Sequence, residues 1–271
     1  MPIEQVIVYA VIQGLTEFLP VSSTAHLVLV PWLFHWEDPG LTFDVALHVG
    51  TLVALLSFYW RDWFDILAMA FGSRKAVFDR EYAERRTLLW WMIVATIPAA
   101  VLGGLFEKYF EHEVRQYYII AASLIGLACV MYIAERFTPQ RKKIHEMTFG
   151  DTIFIGCLQA VALIPGISRS GITITAGLFR GLTRGASARF SFLLSTPIIA
   201  GAAIKKGWEI HHTGIPAEMR APFLVGIILA AVVGWITLRF LTAFYEKHSL
   251  DSFMAYRILL GVVILAIGMM R

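Results

Sequence analysis

The stretch that decides the fold is Gln13–His26, QGLTEFLPVSSTAH, read together with Ile164–Thr173, IPGISRSGIT. Each is polar and proline-broken, and each sits inside a long apolar run, residues 6–35 and 150–182 respectively. Pro20 and Pro165 lack a backbone donor and clash with the preceding turn, so a helix is expected to stop at each. Backbone of that kind is tolerated at membrane depth only where protein or a wet cavity surrounds it. The two runs therefore read as helical hairpins that enter a bilayer and return on the same side.

The rest of the chain supplies the bilayer. Of 271 residues, 58% are hydrophobic and only 16% charged, where a soluble domain carries about a quarter charged. Six further stretches, near 41–60, 87–106, 117–135, 187–205, 222–245 and 253–270, are each about long enough to cross a ~30 Å hydrocarbon core. Trp90, Trp91, Tyr117 and Tyr118 suit its interfaces. The expected class is an all-α integral membrane protein with six transmembrane helices and two re-entrant helical hairpins. A net charge of +3 with no basic soluble face argues against nucleic acid as a partner. Cys129 and Cys157 both lie in apolar runs, which argues against a disulfide framework. Glu4 stands where a cleavable leader would need positive charge, and Glu17 interrupts the first apolar stretch, so no leader is expected.

The order is hairpin, three spans, hairpin, three spans, in a single membrane domain covering 1–271. That is a repeat, about 1–135 and 150–271, joined by a basic loop at 136–149. An odd number of spans per half makes the second half inverted relative to the first. Fifteen of the 23 Lys and Arg residues then fall on one side, six on the other, and Arg169 and Arg239 within the membrane. The richer side, which includes Arg74, Lys75, Arg80, Arg85, Arg86, Arg136, Arg141, Lys142 and Lys143, should be cytoplasmic. The first hairpin then opens outward, the second opens to the cytoplasm, and their tips can meet near the midplane.

Ionisable residues inside membrane segments are functional candidates by default. Gln13 and Glu17 share one helix face, and Ser22, Ser23, Thr24 and His26 follow Pro20 within little more than one turn. The bland alternatives are a Glu17–His26 pair that ties two helices together and hydroxyls that merely cap a helix. Capping and anion binding are compatible, because a helix N-terminus favours an anion. In the second hairpin Arg169 lies at the break, flanked by Ser168, Ser170 and Thr173 as donors, with Gly166 and Gly171 allowing close backbone approach. Guanidinium, hydroxyls and free N–H groups suit a phosphate or pyrophosphate. Arg169 as a mere counterion for Glu17 is the alternative. Asp44 and His48 read equally as a structural pair or as site residues. Arg257 reads equally as snorkelling or as reaching a substrate, and Arg189 with Ser191 and Ser195 as lining a cavity or anchoring a boundary.

These residues resemble a known pattern. GLTEFLPVSSTAH at 14–26 and PGISRSGIT at 165–173 are similar to the two signatures of the undecaprenyl-diphosphate phosphatase family, also known for bacitracin resistance. FDVALHVGT at 43–51, RFSFLLSTP at 189–197 and YRILLG at 256–261 extend the resemblance over essentially the whole chain. In that family the first motif is Glu or Gln, three residues, then Glu; this sequence has the Gln form at Gln13, which lowers the charge available to a cation, and Ala25 stands where many members have Gly. The resemblance implies hydrolysis of undecaprenyl diphosphate to undecaprenyl phosphate and inorganic phosphate, recycling the carrier lipid of cell-wall synthesis. It also implies a divalent cation, Mg²⁺ or Ca²⁺, a site on the periplasmic side of the inner membrane, and a transporter-like fold.

The expected roles follow. Ser23 is the preferred nucleophile, with His26 or Glu17 as its base; a phosphohistidine on His26 and direct attack by water stay open. Arg169 grips phosphate with Ser168, Thr173, Ser22, Thr24, Gly166 and Ser170. Glu17 and Gln13 could hold the cation. The partners are a polyprenyl diphosphate and membrane lipids, and the apolar faces permit a homodimer. The rival class is a transporter or flippase for a phosphorylated lipid, since broken helices at the midplane are a transporter signature.

Overall fold

The structure is a computed structural model that describes residues 1–37, 39–72, 87–106, 116–214 and 216–270. Of the basic residues counted for topology, Arg74, Lys75, Arg80, Arg85, Arg86, Lys108, Arg115 and Arg271 lie outside the described residues.

The described chain is helical. Helices α1 (Ile3–Thr16) and α2 (Ser23–Phe34) flank the first break, and α3 (Leu41–Phe58) is followed by α4 (Trp60–Ala70). Next come α5 (Leu88–Leu105) and α6 (Tyr117–Phe137), then a 3₁₀ turn at Ile144–Glu146. Helix α7 (Phe149–Gln159) runs into a 3₁₀ turn, Ala160–Leu163, before the second break and α8 (Arg169–Phe179). The chain ends with α9 (Arg184–Thr213), α10 (Ala217–Lys247) and α11 (Asp251–Met270).

Five of these, α5, α6, α9, α10 and α11, are long and apolar enough to cross a membrane. The expected sixth span, 41–60, is different. Helix α3 meets the same test only together with α4, and the two are bent by 74° at Tyr59. Helix α4 is amphipathic: Asp65, Ile66 and Met69 are buried while Trp60, Phe64 and Leu67 are exposed.

Close packing is made by small residues, as expected where lipid is as apolar as the core. A Cβ on Gly50 of α3 would meet the Ile227 carbonyl of α10 at 2.4 Å, and one on Gly156 of α7 would meet the Ala95 carbonyl of α5 at 2.4 Å. Helices α1, α3 and α10 form one packed group, α6 and α11 a second, and α5 and α7 a third, with α8 and α9 between them.

The two broken hairpins point in opposite directions. The free ends of α1 and α2 meet beside the start of α10, where Met1, Pro2, His35, Trp36 and Met219 line one hollow. The free ends of α7 and α8 lie at the far end of the molecule. There Asp151 takes Arg180 (Nε···Oδ1 2.6 Å) and Lys142, and Arg184 reaches Glu135 (2.7 Å). Arg136 pairs with Asp251, and Arg189 with Asp62 (2.8 Å), at the same end. Arg189 is held here by Asp62 and also lines a hollow with Tyr59, Lys143, Thr242 and Glu246.

Candidate active site

The tips of the hairpins meet. After α1 the chain turns through residues 17–22 and restarts at α2, whose N-cap Ser22 accepts a bond from the Ala25 N–H (3.3 Å). After the 3₁₀ turn it passes Pro165 and restarts at α8, whose N-cap Ser168 accepts from the Gly171 N–H (3.1 Å). Both serines satisfy a donor that a helix start leaves orphaned. Ser22 does so at φ +76°, a left-handed conformation that is costly for a non-glycine residue and concentrates at functional sites. The tips are tied by the Leu19 carbonyl, which accepts from Ser170 Oγ (3.0 Å) and Ser168 Oγ (3.4 Å).

At their junction Glu17 is buried with both oxygens occupied. Arg169 Nη2 contacts Oε1. Gln13 Nε2 (2.9 Å) and Ser23 Oγ (2.8 Å) donate to Oε2, and His48 Nε2 stands 3.4 Å from it. A cavity of about 170 Å³ opens over this cluster. It is lined by the polar residues Glu17, Ser22, Ser23, Thr24, His48, Ser168 and Arg169 and by the apolar residues Ala99, Ala162, Leu163, Ile167 and Ile198. Gln159 completes the lining.

Most of the expected residues converge here, and four do not. His26 sits outside the cavity lining, with Nδ1 on the Ser22 carbonyl (2.7 Å), Nε2 on the Tyr256 hydroxyl (2.7 Å) and its ring stacked on Tyr256. Facing along α2 toward α11, it is not placed as the base for Ser23. The imidazole beside Glu17 belongs instead to His48, whose Nδ1 is held by the Asp44 carbonyl (2.7 Å), so its pairing is with Asp44's backbone. Thr173 turns away as well: its hydroxyl is spent on the Arg169 carbonyl (2.7 Å) and Ser191 Oγ (2.6 Å). Ser170 is spent on Leu19, and Gly166 serves packing. At φ +92° Gly166 lies so close to α6 that a Cβ would meet the Ile120 carbonyl at 2.6 Å. These three hold the second tip in shape without lining the cavity.

Arg257 neither snorkels nor reaches the cavity. Fully buried, it donates to the carbonyls of Leu124 (3.1 Å), Ser123 (3.2 Å), Pro20 (3.0 Å) and Gly166 (2.9 Å). Two of those carbonyls belong to the two breaks, where helix hydrogen bonding has stopped, so one guanidinium fastens both tips to α6. The YRILLG match marked the residue but not this role. Gln159 is the other residue that sequence reading missed. It is 2% exposed, and neither its Nε2 nor its Oε1 has a hydrogen-bond partner among the described residues. One signal was available: Gln159 precedes the N-cap Ser168 by the same spacing as Gln13 precedes the N-cap Ser22.

No group of three or more His, Cys, Asp or Glu that could hold a metal occurs among the described residues. A dedicated cage is therefore not what these residues offer. Gln13 Oε1, however, is buried without a partner among the described residues, next to the Glu17 carboxylate. One or two protein oxygens of this type fit a hard cation that takes its remaining ligands from water and phosphate.

Comparison with known proteins places this geometry. The family model described as bacitracin resistance protein BacA matches residues 6–263. An undecaprenyl-diphosphatase of Desulforudis audaxviator is 46% identical over 265 residues, 98% of this chain and 97% of its own. One of Moorella thermoacetica is 44% identical over 271 residues, covering all of both chains, and one of Elusimicrobium minutum is 43% identical over 265, covering 98% of each. With that coverage from end to end, the chain belongs to the BacA bacitracin resistance family.

Proposed function

We propose that this chain hydrolyses undecaprenyl diphosphate, releasing inorganic phosphate and returning undecaprenyl phosphate to cell-wall synthesis, and that its activity underlies bacitracin resistance. The observation that carries this reading is the Ser23–Glu17–Arg169 cluster, set in a cavity lined by both polar and apolar residues. A hydroxyl hydrogen-bonded to a carboxylate, beside a guanidinium, is equipment for phosphoryl transfer. Full-length similarity to undecaprenyl-diphosphatases supplies the substrate.

The chemistry runs from these positions. Ser23 Oγ attacks the terminal phosphorus while Glu17 Oε2, already its hydrogen-bond acceptor at 2.8 Å, receives the proton. The bond from that phosphorus to the bridging oxygen breaks, and the prenyl monophosphate leaves. Water then attacks the phosphoserine, releasing inorganic phosphate and restoring the Ser23 hydroxyl. Arg169 starts as the partner of Glu17, with Nη1 unpartnered among the described residues. A phosphate oxygen can take the guanidinium from Glu17, so substrate binding both grips the phosphate and frees a carboxylate oxygen. Ser22, Thr24, Ser168 and the start of α8 complete the donors around it. Glu17 and Gln13 Oε1 would hold Mg²⁺ or Ca²⁺, which when bound neutralises charge on the diphosphate.

In the membrane, the two hairpins are re-entrant and the two halves of the chain, about 1–135 and 150–271, are inverted copies within one domain. The ion-paired end that holds Arg136, Lys142, Arg180, Arg184 and Arg189 is cytoplasmic, and the site serves the periplasmic face of the inner membrane. The opposed directions of the hairpins support this placement. The assay is phosphate release from prenyl diphosphates by the full chain in detergent, with Mg²⁺ or Ca²⁺. Release is expected; none with either cation would favour the transport reading.

A further inference from the structure

The least explained group in the cavity is the Gln159 amide. It is almost fully buried, yet its donor and its acceptor both lack a partner among the described residues, so exchanging the two ends of the amide would change nothing. Its counterpart Gln13 at least donates through its Nε2 to Glu17 Oε2. Gln159 shares its cavity with Arg169, whose Nη1 is also buried and unpartnered among the described residues. Two unsatisfied donors around one cavity are the signature of an acceptor-rich ligand.

The location of Gln159 says which part of that ligand it meets. Ala162 and Leu163 follow it in the 3₁₀ turn that ends α7, and both line the same cavity. Ala99 and Ile198 add to this apolar lining. Ser23 and Glu17, where the phosphorus would be attacked, belong to the first tip. A diphosphate with its terminal phosphate at Ser23 and Arg169, and its prenyl chain toward Ala162 and Leu163, brings its inner phosphate to Gln159.

We infer that Gln159 hydrogen-bonds the phosphate that carries the prenyl chain, and so binds the leaving group of the reaction; this rests on the proposed site. An uncharged amide suits that task. It donates to the non-bridging oxygens without adding a cation that would hold the monophosphate product after cleavage.

The test measures binding of the two products separately. Full-length wild type, Gln159→Leu, Gln159→Asn and Arg169→Lys are titrated in detergent with farnesyl monophosphate and with inorganic phosphate, read by ligand-induced thermal stabilisation. Gln159→Leu is expected to weaken farnesyl monophosphate by about tenfold and to leave inorganic phosphate within about twofold. Gln159→Asn, which keeps a shortened amide, should recover part of the loss, and it serves alone if the leucine variant does not fold. Arg169→Lys should weaken inorganic phosphate. Unchanged farnesyl monophosphate binding in both Gln159 variants, or an equal loss for both ligands, overturns the inference while leaving the site standing if Arg169→Lys behaves as stated. No effect of Arg169→Lys on either ligand rejects the site itself, and the role of Gln159 with it.

Discussion

Glu17 and Arg169 stand 152 residues apart in sequence and form an ion pair where two broken helices meet. Neither hairpin has a complete site alone: one brings the carboxylate and hydroxyl, the other the guanidinium. If the guanidinium transfers to substrate phosphate, a compact ammonium should not substitute, because it lacks the planar fork. Arg169→Lys should insert and fold but lose turnover by on the order of 10²-fold. Steady-state phosphate release from the purified variant checks this, and wild-type turnover would remove Arg169 from the phosphate grip.

The placement of Ser23 on Glu17 and of His26 on Tyr256 separates two nucleophiles. Rapid quenching with terminally labelled prenyl diphosphate should put label on Ser23, and Ser23→Ala should abolish it. Label should remain on Ser23 in His26→Ala, whose activity falls less than that of Ser23→Ala. Label mapped to His26 in the wild type would reverse the assignment.

Thr173 offers a case where the same sequence motif supports a different outcome. Its hydroxyl bonds Ser191 and the Arg169 carbonyl. Thr173→Val should therefore cost about 1 kcal/mol of stability and leave KM for the prenyl diphosphate near the wild-type value. A raised KM with unchanged thermal stability would return Thr173 to the cavity.

Arg257 satisfies four carbonyls from inside the protein. Arg257→Met keeps much of the volume and removes every donor, so thermal unfolding should shift down by an amount equivalent to roughly 3–5 kcal/mol. Phosphatase activity per folded molecule should fall too, since both tips lose their common fastening. Unfolding at the wild-type temperature would show that the breaks hold themselves.

At Gly156 the α5–α7 contact leaves no room for a methyl group. Gly156→Ala should destabilise by about 1–3 kcal/mol, because two of the three obstructing atoms, the Ala95 carbonyl oxygen and Cα, are backbone. Gly104, where an added Cβ would meet no neighbouring atom within 4 Å among the described residues, is the control, and Gly104→Ala should not destabilise.

Much of this was legible in the sequence for identifiable reasons. Pro20 and Pro165 mark breaks because each falls among clustered hydroxyl residues; proline alone does not, since Pro31, Pro98, Pro197 and Pro222 sit inside helices. Long apolar runs announce spans through the length of a bilayer. The α3–α4 bend was not legible, because Tyr59 and Trp60 are as apolar as the span they end. Glu17, Ser23 and Arg169 stand out in the sequence because charge and hydroxyls at a membrane break are costly unless used, and the structure brings the three together. The directions of His26, Thr173 and Ser170 were not, since helical spacing gives a face but not which neighbour occupies it. Gln159 was overlooked because a neutral amide in an apolar run attracts little notice until its unpaired atoms are seen. His48 was left undecided between Asp44 and the site, and only packing of α3 against the first break chose.

The apolar lining of Ala99, Ala162, Leu163 and Ile198 suits a substrate with a lipid tail, and that has a kinetic corollary. An enzyme whose substrate is dissolved in the bilayer draws from a two-dimensional pool. Its rate should follow the mole fraction of prenyl diphosphate among the surrounding lipids, not its amount per volume of suspension. Adding inert lipid at constant substrate would then slow the reaction, as if the substrate had been diluted.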